Sequence, residues 1–511
     1  MKPKQPKPIS RRNFLGKTSA AIAGLTIIPS HVVSGLGHTP PSDKLNVAGI
    51  GIGGMGRNVL SHIAETENIV ALCDVDWNEA TVRVFETYPG AGRYKDYRIM
   101  LDEMKEIDAV VVATPDHTHA VASMEAIKRG KHVYTEKPLT KTIYEARKLT
   151  EAAREHNVAT QMGNQGQAGD WPRRLREMIS DGVIGDITEV HVWTDRPNRG
   201  LSDTYWPQGV TRPDETPPVP ESLDWGLFTG PAPVRPYHRS YHPFRWRGWW
   251  DFGTGALGDM ACHILEAPFK ALELGYPTKV QGSSSMLLRD SAPVSQKVRL
   301  VYPRRQTSFG IQPEVEIDWY DGGLQPVKPE GWTEAQKYKP DAWPGGGNMN
   351  HRGGAVIFHG SKDTMICGCY GADPWLLSGR VPDVPKTERR VDTNHYMDWV
   401  RACKESPESR VEAKSAFHES GPFNEMVVMG VLAVRLQALN KELHWDGENM
   451  QFTNIGPDES LRIIIEDGFT IEDGHPSFRR DMTEPLNARE FANSLIKTNY
   501  REGWYLPDMP A

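Results

Sequence analysis

A chain of 511 residues, 24% charged and 38% hydrophobic, has the make-up of a soluble globular protein and length for roughly two to four domains. Its formal net charge of −7 argues against nucleic acid or an anionic membrane as the main partner, and no run of about 18 apolar residues marks a stable membrane span. The five cysteines (Cys73, Cys262, Cys367, Cys369 and Cys403) are odd in number and include no C-x-x-C pair, so neither a disulfide framework nor a zinc ribbon is signalled.

The chain opens on a targeting pattern. "SRRNFL" at 10–15 matches the twin-arginine export signal, behind a basic start (Lys2, Lys4, Lys7, Arg11, Arg12). The apolar stretch that follows, roughly 18–29, is too short to span a bilayer. Residues 1–42 are therefore expected to be signal and linker, read by the twin-arginine export machinery and directing the protein to the periplasm. That route carries proteins already folded, so a cofactor can be loaded before export.

From residue 43 strands and helices alternate. "KLNVAGIGI" reads as a strand, "GMGRNVLSHIAET" as a helix, "NIVALCDVD" as a second strand and "WNEATVRVFETYP" as a second helix. "YKDYRIMLDEMKEI" leads to the strand "DAVVVATP", the helix "HAVASMEAIKRG" and the strand "HVYTEKPL". The helix "TIYEARKLTEAAREHN" then feeds "VATQMGNQ". Such a βαβ series predicts an α/β fold with a parallel, doubly wound sheet over 43–165.

Its loops hold the chemistry. Gly51-Ile52-Gly53-Gly54-Met55-Gly56 is a G-x-G-x-x-G between a strand and a helix, where glycines allow a tight turn and close approach to a pyrophosphate at the helix N-terminus. Asp74 ends the next strand 18 residues beyond Gly56, the place for a carboxylate on the adenosine ribose, and Asp76 is its near neighbour. A carboxylate there repels a 2′-phosphate, so NAD is expected over NADP. Thr114-Pro115 turns the chain at the carboxyl edge of the sheet, and Glu136 and Lys137 end the following strand at that edge. A lysine so placed can stabilise an alkoxide. His117 and His119 form an H-x-H with no third donor close in sequence, so no metal is expected there.

After Gln165 the pattern changes. A helix "DWPRRLREMISDGV" and a strand "DITEVHVWTDR" precede a Pro- and Trp-rich excursion to about 250, too long for an idle loop. One helix is expected over 255–275, then strands in "KVQGSSSMLL", "SQKVRLVYP", "EVEIDWYDG" and "AVIFHGSKDTMICGCY", a second α/β domain with a mostly antiparallel sheet. Cys367 and Cys369 would share one strand face there, as two small buried side chains. Helices over "NHYMDWVRACKES" and "FNEMVVMGVLAVRLQALN" brace it. The expected division is 43–165 for the nucleotide, 166–450 for substrate and assembly, and 451–511 as a tail wrapping the body.

Asp259 and His263 are i and i+4, hence on one helix face. Histidine suits the proton of a hydroxyl near neutrality, and Asp259 can bond substrate or raise the basicity of the imidazole. A first-turn helix carboxylate and a metal pair are the competing readings of these two residues. Just upstream, "YHPFRWRGWWDFGTG" offers His242, Arg245 and Trp250 as contacts for a polyhydroxylated ring, with packing the rival explanation for the tryptophans.

"GIGGMG", "CDVD", "ATPDHTH", "TEKPL" and "GTGALGDMACH", in that order over about 43–450, resemble the glucose–fructose oxidoreductase/inositol dehydrogenase family, Gfo/Idh/MocA. The resemblance implies a Rossmann domain followed by an open-sheet α/β domain that often mediates oligomerisation, so a homo-oligomer is expected. It carries the family's EKP lysine onto Lys137 and its helix aspartate and histidine onto Asp259 and His263. "MGNQ" takes the place of the nicotinamide-proximal loop without the arginine commoner there, which puts Asn164 beside Gly51, Gly53, Gly54, Met55, Gly56, Asp74, Thr114, Pro115, His119, Glu136 and Lys137 in the expected cofactor set.

The expectation is an exported oxidoreductase of a sugar, glycoside or cyclitol with tightly held NAD. Lys137 or His263 serves as the base. Two rivals stand: an NAD-dependent glycosidase that oxidises, eliminates and reduces again, and a non-catalytic sugar-binding protein with a structural nucleotide. The export reading makes a direct prediction. Arg11→Lys with Arg12→Lys should leave folded, nucleotide-containing protein in the cytoplasm, and undiminished periplasmic protein on fractionation would refute it.

Overall fold

Short Val- and Ala-rich runs, buried on both faces, build the first sheet of the computed structural model, which describes residues 43–198, 204–332 and 353–506. The segment expected to direct export, 1–42, lies outside them. Six parallel strands, β1 (Asn46–Ile50), β2 (Asn68–Cys73), β3 (Gly92–Tyr94), β4 (Ala109–Val112), β5 (His132–Glu136) and β6 (Thr160–Gly163), stand in the order β3-β2-β1-β4-β5-β6. Between them run α1 (Met55–Ile63), α2 (Glu79–Thr87), α3 (Tyr97–Glu103), α4 (Asp116–Lys128) and α5 (Ile143–Glu155). Asn78 and Asp96 cap α2 and α3 through their side chains, and Thr142 with Glu145 closes a capping box on α5. The strand order reverses between β1 and β4, and ligands lodge outside the carboxyl ends of strands at such a switch point. β3 and α3 emerge from a stretch read only as a lead-in, because three and seven residues are too few to display a period.

The second sheet has nine strands in the order β15-β14-β13-β7-β12-β9-β8-β16-β17. They are β7 (Ile187–Trp193), β8 (Lys279–Ser284), β9 (Gln296–Tyr302), β12 (Val315–Tyr320), β13 (Ala355–Gly360), β14 (Thr364–Gly368), β15 (Trp375–Leu376), β16 (Leu443–Asp446) and β17 (Gln451–Phe452), with a side ribbon of β10 (Arg305–Thr307) and β11 (Gly310–Gln312). Every neighbouring pair is antiparallel except β7 with β12. α6 (Asp170–Ser180), α7 (Trp225–Thr229), α8 (Gly255–Ile264), α9 (Glu266–Ala271), α10 (His395–Lys404) and α11 (Phe417–Arg435) complete this part. Nearly every residue of α11 is buried, because it packs against α5 of the first sheet and β8 and β9 of the second. No helix among the described residues is long and apolar enough to cross a membrane.

Three expectations are corrected here. The single helix over 255–275 breaks at Leu265 into α8 and α9, because Pro268 has no N–H for the carbonyl of Ile264 and its ring crowds that carbonyl. The run 355–370 is a hairpin, β13 and β14, and Cys369 sits in the 3₁₀ turn after Gly368 rather than on a strand beside Cys367. α11 begins at Phe417, six residues before the expected start, and tolerates Pro422 near its N-terminal end.

Past β17 the chain forms β18 (Ser460–Leu461) paired with β21 (Leu486–Asn487), an exposed hairpin of β19 (Ile464–Glu472) and β20 (His475–Met482), and α12 (Ala488–Ile496). It then returns to α3, α5 and α7. The Tyr500 hydroxyl donates to Glu145, Arg501 donates to Gly226 O at 2.9 Å, and Arg98 lies 4.4 Å above the Trp504 ring.

Candidate active site

A cleft of about 780 Å³ opens at the carboxyl end of the first sheet, within the range of cofactor and small-molecule sites. Its floor is the glycine turn. Gly51 holds φ +80°, and a Cβ there would press on the Ala113 carbonyl; a Cβ on Gly56 would run into the Gly51 carbonyl, so the turn and α1 close on each other. At Gly54 the space is open to 4 Å, the side a ligand can approach. Gly51, Gly53, Gly54 and Met55 line the cleft, whereas buried Gly56 serves the packing.

Asp74 leaves β2 and clamps this turn. Its Oδ2 accepts from the amides of Ile52 (2.8 Å) and Gly53 (3.1 Å), and its Oδ1 from Asp76 N (3.0 Å). Burial raises its carboxyl above the ordinary value, against those three hydrogen bonds. Asp76 goes the other way. Burial is outweighed by hydrogen bonds from His242, Ser222 and Asn78, which hold it at about 2. His242 Nε2 lies 2.8 Å from Asp76 Oδ2, so this histidine stands at the Asp74 end of the cleft and not among substrate contacts, a correction to its expected role.

At the other end, β4 and β5 deliver Thr114-Pro115 and Glu136-Lys137 to the cleft wall. Glu136 Oε1 accepts from Tyr134 Oη (3.2 Å) and Gln165 Nε2 (3.0 Å), and burial pushes its carboxyl up to about 7. Lys137 Nζ donates to Asp259 Oδ1 at 2.7 Å, and Arg247 Nε donates to the same oxygen at 3.1 Å. Burial opposes ionisation of Asp259, yet these two cations hold its carboxyl far below the usual range. One turn on, His263 lines the cleft with its Nδ1 lacking a protein hydrogen-bond partner. Burial, then the Lys137 ammonium, pushes its imidazole down to about 3, so it is neutral at physiological pH.

α8 is pinned where it presents this face. Asp116 at the start of α4 accepts from Thr254 Oγ1 (2.7 Å), Lys141 Nζ donates to Asp251 O (3.1 Å), and Gln208 Oε1 accepts from Ala256 N (2.9 Å). The two histidines of "ATPDHTH" act behind the wall. His119 bridges the carbonyls of Thr114 and Pro138, 2.8 Å each, and His117 spans those of Phe228 and Phe252. Both are buried, and burial lowers them to about 4 and 3. His119 therefore braces the cofactor edge without facing the cleft.

The structure thus brings Lys137, Asp259 and His263 together and separates other candidates. Asn164 is 1% exposed with both amide atoms unpartnered and lies off the cleft wall; Gln165 reaches it. Trp250 is a core side chain, 4% exposed, with Arg435 5.2 Å from its ring centre, and Arg245 projects to solvent away from the cleft. Arg247, Phe244 and Trp246 line the cleft in their place, with Tyr370 and Trp504. The Arg-x-Arg spacing held no signal for choosing Arg247 over Arg245, and Trp504 arrives from the far end of the chain.

The open side of Gly54 and the cleft's volume fit a dinucleotide with its pyrophosphate at the glycine turn and its reactive end near Lys137. Residues 45–164 match the NAD-binding Rossmann fold of the oxidoreductase family GFO_IDH_MocA, and residues 171–302 match that family's C-terminal alpha/beta domain. The chain is 30% identical over 239 residues to D-glucoside 3-dehydrogenase of Escherichia coli, covering 46% of this chain and 56% of that one. It is 28% identical over 169 residues to glycosyl hydrolase family 109 protein 1 of Akkermansia muciniphila, covering 31% and 35%. Among solved structures it shares its fold with the WlbA dehydrogenase from Bordetella pertussis in complex with NADH and UDP-GlcNAcA, at a TM-score of 0.50 and 18% identity over 79% of this chain and 99% of that one. The chain spans between 26% and 56% of the length of such curated relatives.

Asp74 generates the prediction on cofactor choice. NAD should bind at least about tenfold more tightly than NADP, a difference of about 1.4 kcal/mol. Asp74→Ser should narrow that gap and also weaken NAD, since the clamp on Ile52 and Gly53 is lost with it. Calorimetric titration giving equal affinities in the unmodified protein would contradict the assignment.

Proposed function

Because residues 45–164 and 171–302 carry the Rossmann and C-terminal α/β domains of the GFO_IDH_MocA oxidoreductase family, we propose that this chain is an NAD-dependent oxidoreductase acting on a CH–OH group of a sugar, glycoside or cyclitol. The observation that carries the reading is the 2.7 Å ion pair of Lys137 with Asp259 on the wall of a nucleotide cleft, with His263 one turn further along the same helix face. The names of the relatives, D-glucoside 3-dehydrogenase and inositol 2-dehydrogenase, support the substrate class.

Bound NAD supplies the hydride acceptor and donor. The chain's own residues handle charge and protons. Neutral His263 takes the hydroxyl proton, and the Lys137 ammonium faces the developing alkoxide. Asp259 keeps that ammonium aimed, while Arg247 and the faces of Phe244 and Trp246 hold a hydroxylated ring. Residues 43–165 thus supply the cofactor site and 166–450 the proton chemistry.

The likeness to a glycosyl hydrolase family 109 protein favours a second reading, in which the same residues oxidise a glycoside, assist elimination of its aglycone and reduce the product again. We also propose twin-arginine export to the periplasm with NAD already bound, resting on "SRRNFL", and homo-oligomerisation through the second domain.

Incubating the purified protein with a glycoside panel, while following nicotinamide absorbance and free reducing sugar, tests these readings. An absorbance change without sugar release supports the oxidoreductase, sugar release without net absorbance change supports the glycosidase, and neither signal on any substrate contradicts both. His263→Ala should lower turnover by roughly 100- to 10,000-fold while NAD binding survives. Since His263 is held near 3, it stays unprotonated above that pH, and His263→Ala should leave unchanged any inflection of kcat/KM near pH 7, where Glu136 titrates. Near-normal turnover of the variant would remove His263 from the mechanism, and an inflection near pH 6.5 that the variant loses would show an imidazole that is not held low.

A further inference from the structure

The second sheet has two unlike faces. Val190, Val192, Val298, Leu300, Val356 and Phe358 point into the main core shared with α8, α9 and α11. The alternate residues of the same strands point outward. On that outer face β7 and β13 run antiparallel with Glu189 directly opposite His359, and His191 stands two residues along from Glu189. Two imidazoles and a carboxylate are thereby set side by side on neighbouring strands by register alone.

Their donor atoms all lie within 4.8 Å of one another, and His191 Nε2 is 3.0 Å from Glu189 Oε1. The second nitrogen of His191 is oriented from behind. His191 Nδ1 lies 3.4 Å from Tyr320 Oη, which donates to Asp318 Oδ2 (3.3 Å), so the tyrosine oxygen can accept from Nδ1–H when Nε2 is given to an ion. An imidazole held by its far nitrogen, with a free lone pair aimed at other ligands, is the usual arrangement behind a metal-bound histidine. Lys297 and Arg299 are drawn to Asp318, at 2.9 and 3.0 Å; Lys297 opposes positive charge at His191 and the Asp318 carboxylate favours it. The His191 side chain is 12% exposed and that of Glu189 52%, so the group is partly sheltered and open on one side.

We propose that Glu189, His191 and His359 bind a divalent transition-metal ion of the zinc class, which cross-links β7 to β13 on the face of the second sheet turned away from the nucleotide cleft. Two imidazole nitrogens and one carboxylate oxygen are donors that zinc and cobalt favour over magnesium or calcium, and three protein ligands leave a fourth position for water. The ion joins the two strands and takes no part in the proposed chemistry, whose residues lie beyond the other face. This site is independent of the proposed activity.

Titration of the full-length protein with Co²⁺ alone, read by its visible absorption, tests the proposal. One Co²⁺ per chain should bind with the intense bands of four-coordinate cobalt and be displaced by Zn²⁺. His191→Ala and His359→Ala should each weaken binding at least about tenfold, whereas His263→Ala should leave it unchanged. NAD binding reports that each variant is folded, and Glu189→Gln, a nearly isosteric change at an exposed side chain, serves if either alanine variant is not. Absence of stoichiometric binding, unchanged affinity in the folded ligand variants, or loss of binding in His263→Ala would overturn the proposal.

Discussion

The site depends on one buried charge arrangement, a single carboxylate held between two cations. Asp259 comes from the second part of the chain, Lys137 from the last residue past β5, and Arg247 from the loop before α8. Lys137 and Asp259 are each only 14% exposed, so neither is ionised cheaply alone, and the pair keeps both charges in a dry wall. Removing the carboxylate would set two cations facing each other, and breaking a pair of this kind costs about 3–5 kcal/mol. The same contact fixes where α8 docks on the first sheet, hence where His263 meets the cleft. Structure and chemistry share one interaction.

Around it the wall is stiffened by polar groups that never meet a ligand. His117 sits between the carbonyls of Phe228 and Phe252 and His119 between those of Thr114 and Pro138; burial keeps both neutral, so each donates its one N–H and braces the wall without adding charge beside Lys137. Asp116, pushed up to about 7 by burial, accepts from Thr254 and ties α4 to the start of α8. At this end of the cleft the charge is thereby concentrated in Lys137, Arg247 and Asp259, where an alkoxide would form.

What could be read from the chain follows physical range. The glycine turn, Asp74, Lys137 and the Asp259–His263 pair were legible because each rests on spacing within one strand, turn or helix. Five of the six parallel strands were legible for the same reason, since each βα unit signals itself, whereas the three-residue β3 was not. Whether a side chain faces the cleft or the core depends on residues far away in sequence, and there the reading went astray. Arg245 differs from Trp246 and Arg247 only in which way a 3₁₀ turn points it, and Trp250 lies past the end of that turn in the core. His119 carried a ligand's chemistry but is consumed by two carbonyls. Glu189, His191 and His359 meet only through the pairing of two strands more than 160 residues apart, and no local spacing announces them.

The account stands or falls on whether the Lys137–Asp259 pair acts as a unit in catalysis. A double-mutant cycle with Lys137→Met and Asp259→Asn, read as kcat/KM on the fastest glycoside or cyclitol with NAD saturating, measures this directly. Each single change should lower kcat/KM by roughly 100-fold or more, and the double variant should lose little beyond the worse single one, as expected for groups that work together. Losses that multiply, with the double variant falling by the product of the two, would show that the two residues act independently and would contradict the account.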